Sequence, residues 1–182
     1  MSGGSFSQAM RRMFSIDYRS LALFRIALAL LILFDLGIRS QALVAHYTDI
    51  GVLSREAFVQ YYGSLSWWSL HLLSGSSWFQ IALFCISAIF AIFLLVGWRT
   101  RITMIVSWLL LISLQTRNPL VLQGGDIFFR MLAFWAMFLP LGARWSIDAL
   151  HRQHNALHRQ HKNQEKMFNK SVFSFGSAGL LL

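Results

Sequence analysis

The sequence predicts an all-α fold: a polytopic membrane helical bundle of about four transmembrane spans, with short interfacial helices in its outer loop. Three observations predict it. The 182 residues are 56% hydrophobic and only 13% charged, about half the roughly 25% charge of soluble domains. Four apolar windows approach the thickness of a bilayer. Outside those windows, lysine and arginine concentrate on one of the two sides that the windows define. With 16 Phe and 7 Trp the chain would be difficult to keep dispersed in water. Its length suits one compact bundle without a second, soluble domain.

Residues 1–20 read as an N-terminal cytoplasmic segment and 21–150 as the transmembrane domain. The first window, "LALFRIALALLILFDLGI" at 21–38, covers about 27 Å as a helix, close to the roughly 30 Å hydrocarbon core. It is read as a retained span, because its apolar run starts only after residue 20, contains Arg25 and leads to no small-x-small cleavage site. The outer loop, 40–77, is the longest connection. Within it "SREAFVQYY" opens on Ser54, a plausible helix cap, and "SLSWWSLHLL" is too short to cross. Tyr61, Tyr62, Trp67, Trp68 and Trp78 read as an interfacial aromatic belt rather than a ligand-stacking platform.

The second window, "WFQIALFCISAIFAIFLLVGW" at 78–98, has no charge and spans about 31 Å. It contains Cys85, the single cysteine, so no intrachain disulfide forms and an inert buried thiol is expected. The third, "ITMIVSWLLLISLQT" at 102–116, is short and needs its polar end to reach the interface. Pro119 ends it, since its ring and missing N–H do not continue a helix. The fourth, "IFFRMLAFWAMFLPLGA" at 127–143, is long enough but carries Arg130 and Pro140.

Arg11, Arg12, Arg19, Arg99, Arg101 and the six basic residues from Arg144 to Lys170 fall on one side, against Arg39, Arg55 and Arg117 on the other. This bias predicts that both termini are cytoplasmic, and a bacterial inner membrane is the expected location. The net charge of +9 then needs no nucleic-acid partner; the lipid bilayer, with its anionic lipids, is the expected one. Residues 151–170 read as a basic cytoplasmic loop. Its "HRQH" repeat puts His151, His154, His158 and His161 on one face if helical, a spacing at which zinc or nickel can bind. There is no cysteine there and only Glu165 to complete a site, so a solvated basic linker without a metal is expected.

The stretch "RNPLVLQGGDIFFR", 117–130, concentrates polarity between two apolar runs. Asp126 and Arg130, four residues apart, can pair along one helix face, and Asp126 can cap the helix that follows. Gly124 and Gly125 allow a tight turn with close backbone approach. Asp35 lies on the same outer side, about 15 Å along its helix from Arg25, and Arg25 is expected to snorkel to the inner headgroups. The candidate polar cavity comprises Arg25, Asp35, Arg117, Asp126 and Arg130. A functional cavity and a structural ion network both account for these residues, and none is assigned a catalytic role.

Three stretches in order, "SLALFRIALALLILFDL", "YTDIGVLSREAF" and "TRNPLVLQGGDIFFRMLAFWAMFLPLGARWSIDAL", resemble the HTTM (horizontally transferred transmembrane domain) family. That family is related to the membrane domain of vitamin K-dependent gamma-carboxylase. The resemblance covers about residues 17–150 and implies a multi-span helical domain. In the carboxylase members a vitamin K quinol is deprotonated and oxygenated, the resulting base removes a glutamyl γ-proton, and CO₂ adds. This chain departs from them: the hairpin at 123–126 lacks their histidine, and Lys162, Lys166 and Lys170 all lie in the basic segment rather than in a later membrane helix. The closing "SVFSFGSAGLLL", 171–182, resembles the start of the family's next membrane helix cut short, so a C-terminally truncated member is expected.

Two functions follow as expectations. One is an HTTM-type integral membrane protein that serves as an interaction subunit with structural charges. The other is a carboxylase-like enzyme, or fragment, acting on a quinone-like or lipidic substrate, with a vitamin K-like quinol only in that case. A transporter or channel fits less well, for there is no inverted repeat.

Overall fold

The computed structural model describes residues 17–63 and 69–178, with side chains through residue 164. Expectations resting on Arg11, Arg12, Trp67, Trp68 and 179–182 lie outside the described residues. Those residues form seven α-helices and no strand: α1 (Tyr18–Ser40), α2 (Leu43–Tyr47), α3 (Arg55–Tyr62), α4 (Ser77–Val96), α5 (Thr100–Arg117), α6 (Gly124–Ala136) and α7 (Ile147–Ala178).

Helix boundaries follow local chemistry. Asp17 caps α1 by accepting the Arg19 amide at 2.9 Å; Ser54 caps α3, as its sequence position suggests, by accepting from the Ala57 amide. Gly97 ends α4 in the left-handed region, φ +75°, where the Gly97 and Trp98 amides both reach the Phe93 carbonyl. An L side chain is strained at that φ, and here its Cβ would also collide with Arg25 and Ser146. The start of α5 is capped from a distance: Asp148, in the first turn of α7, accepts from the Arg99 and Thr100 amides at 2.8 and 2.7 Å and from the Thr100 hydroxyl at 2.7 Å. Burial alone would raise the Asp148 carboxyl, but the Thr100 and Arg99 donors hold it below the usual carboxylate range.

Two helices, α1 and α4, are long and apolar enough to cross a membrane. α5 has 18 residues, about 27 Å, and α6 has 13, about 20 Å. The fourth window is therefore helical only in its first part. Pro140 cannot donate to the Ala136 carbonyl and disfavours helix at Leu139, so 137–146 runs as an apolar turn. The basic segment also differs from expectation. Residues 151–170 are not a loop but part of α7, continuous to Ala178, because the stretch is rich in helix formers and has no proline or glycine before Gly176.

α1 packs on α4, α4 on α5, and α5 on α6. Leu28, Ala29, Ile32, Ala91, Leu94, Met104, Leu111 and Ala133 form the core between them. Ala22, Ala29 and Ala91 have no exposed surface, and such small residues let helix backbones approach. Polarity runs opposite to that of a water-soluble bundle. Gln80, Ser87, Thr103, Ser107 and Gln115 are buried, while Leu30, Phe34, Ile89, Ile92, Ile105, Leu109, Phe128 and Trp135 face outward. A soluble monomer rarely carries so extensive an apolar exterior. Cys85 lies on this outward face of α4 rather than in the packed interior.

The bundle has two polar ends. At one, Arg39 at the close of α1 meets Asp126 at the start of α6. At the other, Arg25 ties the close of α4 to the loop after α6. The α5–α6 turn thus lies level with the end of α1, and the α4–α5 turn level with the start of α7.

Candidate functional site

At the first end, Arg39 stands one turn beyond Asp35. Its Nε donates to both Asp35 carboxylate oxygens at 2.8 and 2.9 Å, one terminal nitrogen to Asp126 Oδ1 at 2.6 Å and the other to the Tyr47 hydroxyl at 3.1 Å. The guanidinium fork suits this, since its donors diverge in one plane. Asp126 Oδ2 accepts the Gln123 amide at 2.9 Å and completes a capping box. One carboxylate therefore both caps α6 and ties it to α1. Tyr47 is 2% exposed, and burial raises its phenol above the ordinary value although Arg39 opposes the shift, so it stays a neutral hydroxyl.

The expected pairing of Asp126 with Arg130 does not form. Arg130 Nε instead donates to Gln115 Oε1 at 2.8 Å, and Gln115 Nε2 donates to the Asp126 carbonyl at 3.3 Å. Asp126 is already engaged by Arg39, so Arg130 turns toward α5. Gly124 and Gly125 do not make the turn either. They open α6, and an added Cβ on either meets nothing within 4 Å; Asn118–Pro119 and the single 3₁₀ turn Pro119–Val121 reverse the chain.

Arg117 belongs to a neighbouring cluster. It has no exposed surface and donates to the Leu53 carbonyl at 3.0 Å and the Thr48 carbonyl at 3.5 Å, with Asp49 3.7 Å away. Asp49 is held in turn by Arg55 Nε at 2.8 Å. Arg117 thus fastens the loop between α2 and α3 onto α5. Close by, Ser69 and the amides of Leu70 and His71 bond to Ser113. Gln80 Nε2 donates to the carbonyls of His71 and Ser74 at 2.9 and 2.6 Å, which turns Gln80 Oε1 toward His71 Nδ1 at 2.6 Å. Nδ1 therefore bears the imidazole proton, and the bare Nε2 is buried without a partner among the described residues, like Arg117 Nε. Burial, with Arg117's charge acting in the same direction, pushes His71 down to about 4, so it is neutral.

Arg25 lies at the opposite end and does not snorkel. It is fully buried and donates to the Leu141, Leu95 and Trp145 carbonyls at 3.3, 3.4 and 2.5 Å. These are carbonyls that helix ends and loops leave open; Arg25 Nε is buried without a partner among the described residues. Of the five candidates, Asp35 and Asp126 share one arginine, Arg130 joins them through Gln115, Arg117 stands beside them and Arg25 is remote.

The enclosed space touching this network is a cavity of about 10 Å³ lined by Asp35, Ser87, Ser107 and leucines of α1 and α5. That is room for about one water, whereas a quinol ring needs an apolar slot of some hundreds of Å³. A wider cleft of about 760 Å³ at the same end is lined by Asp49, Ser54, Arg55, Glu56 and Gln60 together with Val59 and Leu72, so an isoprenoid chain there would lie against three charged side chains. Neither of these two spaces at the Arg39 end fits a vitamin K-like quinol. The sequence reading had missed Arg39, Tyr47, Gln115, His71 and Gln80. The i, i+4 spacing of Asp35 and Arg39 was a usable signal, hidden because the apolar window stops at residue 38. No protein-family model, characterised protein or solved structure matches the chain.

Proposed function

We propose that this chain is a four-span integral membrane protein of the HTTM type, with both termini on the cytoplasmic side of a bacterial inner membrane. Its role is that of a membrane interaction subunit, a rigid helical frame whose intramembrane charges are structural. The observation that carries this reading is the closed pairing of Arg39 with Asp35, Asp126 and Tyr47, which turns these charged groups on one another rather than toward a ligand-sized apolar cavity among the described residues. The four-span count is supported by the level placement of the α5–α6 turn with the end of α1 and by the apolar outward faces of α5 and α6. Orientation is supported by Arg99, Arg101, Arg144 and Arg152, which lie in the α4–α5 turn, the first turn of α5, the loop after α6 and the start of α7, at the Arg25 end.

A second reading, an enzyme acting on a quinone-like or lipidic substrate, is favoured by one observation: the unpartnered, buried His71 Nε2 beside Arg117. Titrating the detergent-solubilised protein with a short-chain naphthoquinone, followed by tryptophan fluorescence, separates the two. The frame reading predicts only linear, non-saturating quenching, equal in wild type and Asp126→Asn, with a lower melting temperature for the variant. Saturable quenching that vanishes in Asp126→Asn or Arg117→Met, with insertion intact, would establish the enzyme reading instead.

A further inference from the structure

A ligand-sized cavity that the network does not use lies at the Arg25 end. A cavity of about 500 Å³ opens between the first turn of α5, the loop after α6 and the first turn of α7. Met104, Ala136 and Leu141 form its floor, each 3% exposed or less, and Phe138 extends the wall outward. This apolar surface continues onto the outward faces of α5 and α6. Arg101, His151 and Arg152 stand at its mouth.

The charges at the mouth are unequally engaged. Asp148, the acidic residue in the lining, is committed to the three donors of Arg99 and Thr100, so it does not neutralise the arginines by direct pairing. Arg152 is positioned by the Asp148 carbonyl at 3.1 Å and by the Gly142 carbonyl, which leaves its other terminal nitrogen uncommitted. Arg101 makes no hydrogen bond or ion pair among the described residues and is exposed. Two guanidiniums and an imidazole therefore surround an opening whose depth is apolar. Guanidinium pairs recognise phosphate oxygens, and a volume of this size is ordinary for a small-ligand site.

We propose that this cavity binds the phosphodiester headgroup of an anionic phospholipid, with Arg101 and Arg152 on the phosphate and an acyl chain along Met104, Met137 and Phe138. The site rests on the membrane reading above, since an acyl chain reaches it only if α5 and α6 face lipid. It goes further by naming one lipid class and one position, where positive-inside bias alone gives a diffuse attraction.

The test uses the full chain in a neutral detergent. Phosphatidylglycerol, phosphatidylcholine and glycerol 3-phosphate are titrated separately, and bound lipid is read by native mass spectrometry together with the melting temperature. Saturable binding of one phosphatidylglycerol is expected, with a higher melting temperature and at least several-fold preference over phosphatidylcholine. Arg101→Gln should weaken it about fivefold, the effect of one basic residue near a headgroup. Arg159→Gln, an equal loss of charge two turns beyond the mouth on α7, should leave it within twofold. The Arg101 side chain has no partner among the described residues, so its substitution does not threaten their packing. Equal retention of both lipids, or equal weakening by the two substitutions, would overturn the site. So would glycerol 3-phosphate binding as tightly as the lipid, which would mark a free-phosphate site without an acyl requirement. The membrane reading stands apart from all of these: it fails only if the chain is recovered soluble without detergent.

Discussion

Arg39 is predicted to be the costliest single side chain to remove from the bundle. Its side chain is 10% exposed, and those of Asp35 and Asp126 are 23% and 14% exposed. Replacing it with methionine keeps much of the apolar stem but leaves two carboxylates facing one another without a cation, and a buried phenol without its partner. Breaking a buried ion pair by removing one member costs about 3–5 kcal/mol, and two carboxylates depend on this one arginine, so Arg39→Met belongs at the upper end of that range. Neutralising the whole cluster should be far milder. Arg39→Met with Asp35→Asn and Asp126→Asn removes every stranded charge, and the amide side chain introduced at position 126 can still cap α6, so the triple variant should lose only about 1–2 kcal/mol. Arg39→Lys should recover less than half of the loss, because one ammonium cannot serve Asp35, Asp126 and Tyr47 from diverging donors. The assay is reversible unfolding in mixed micelles with increasing SDS fraction, analysed as a mutant cycle. A cost below about 1 kcal/mol for Arg39→Met, or a triple variant as unstable as the sum of its parts, would refute the network argument.

Three further outcomes follow by the same reasoning. Arg25→Met should destabilise by about 2–4 kcal/mol, because three carbonyls lose a charged donor; the same unfolding assay reads it. Gly97→Ala should cost at least about 1 kcal/mol from the left-handed backbone, plus a collision with Arg25 that largely disappears in an Arg25→Met background. His71, lowered to about 4, should make stability pH-dependent. Below its unfolded value of 6.5 the unfolded chain takes up a proton that the folded chain refuses, so stability falls from pH 6.5 toward 4 by at most roughly 3 kcal/mol. Unfolding midpoints of wild type and His71→Phe across that range check this: the variant's curve should lack that component.

The helical class and the two longest apolar helices were legible because length and hydropathy are one-dimensional properties of the chain. Pro119 and Ser54 were equally readable, since a missing N–H and a capping hydroxyl act locally. Three-dimensional choices were not. Arg39 and Arg130 each had several carboxylates or amides within plausible reach, and only packing decided that Asp126 goes to Arg39 and Gln115 to Arg130. The function of Arg25 was hidden for the same reason: its three acceptors are main-chain carbonyls 70 or more residues away, and carbonyls leave no mark in a sequence. The fourth window misled because apolar composition extends past Pro140 while helix does not. In the basic segment high charge suggests a loop, yet arginine, glutamine and lysine are good helix formers and the segment is helical.

Whether the bundle makes four crossings with the Arg39 end outside turns on the side of the membrane that holds the α5–α6 turn. Gln123→Cys in a Cys85→Ala background, treated in intact cells with a membrane-impermeant maleimide, tests it most directly. Gln60→Cys serves as the outer reference and Gln153→Cys as the inner one, all three positions being exposed in the fold. Four crossings predict labelling at 60 and 123 and none at 153 until the cells are opened. If 60 is labelled while 123 and 153 are both protected until lysis, only α1 and α4 cross, and the four-span reading is wrong.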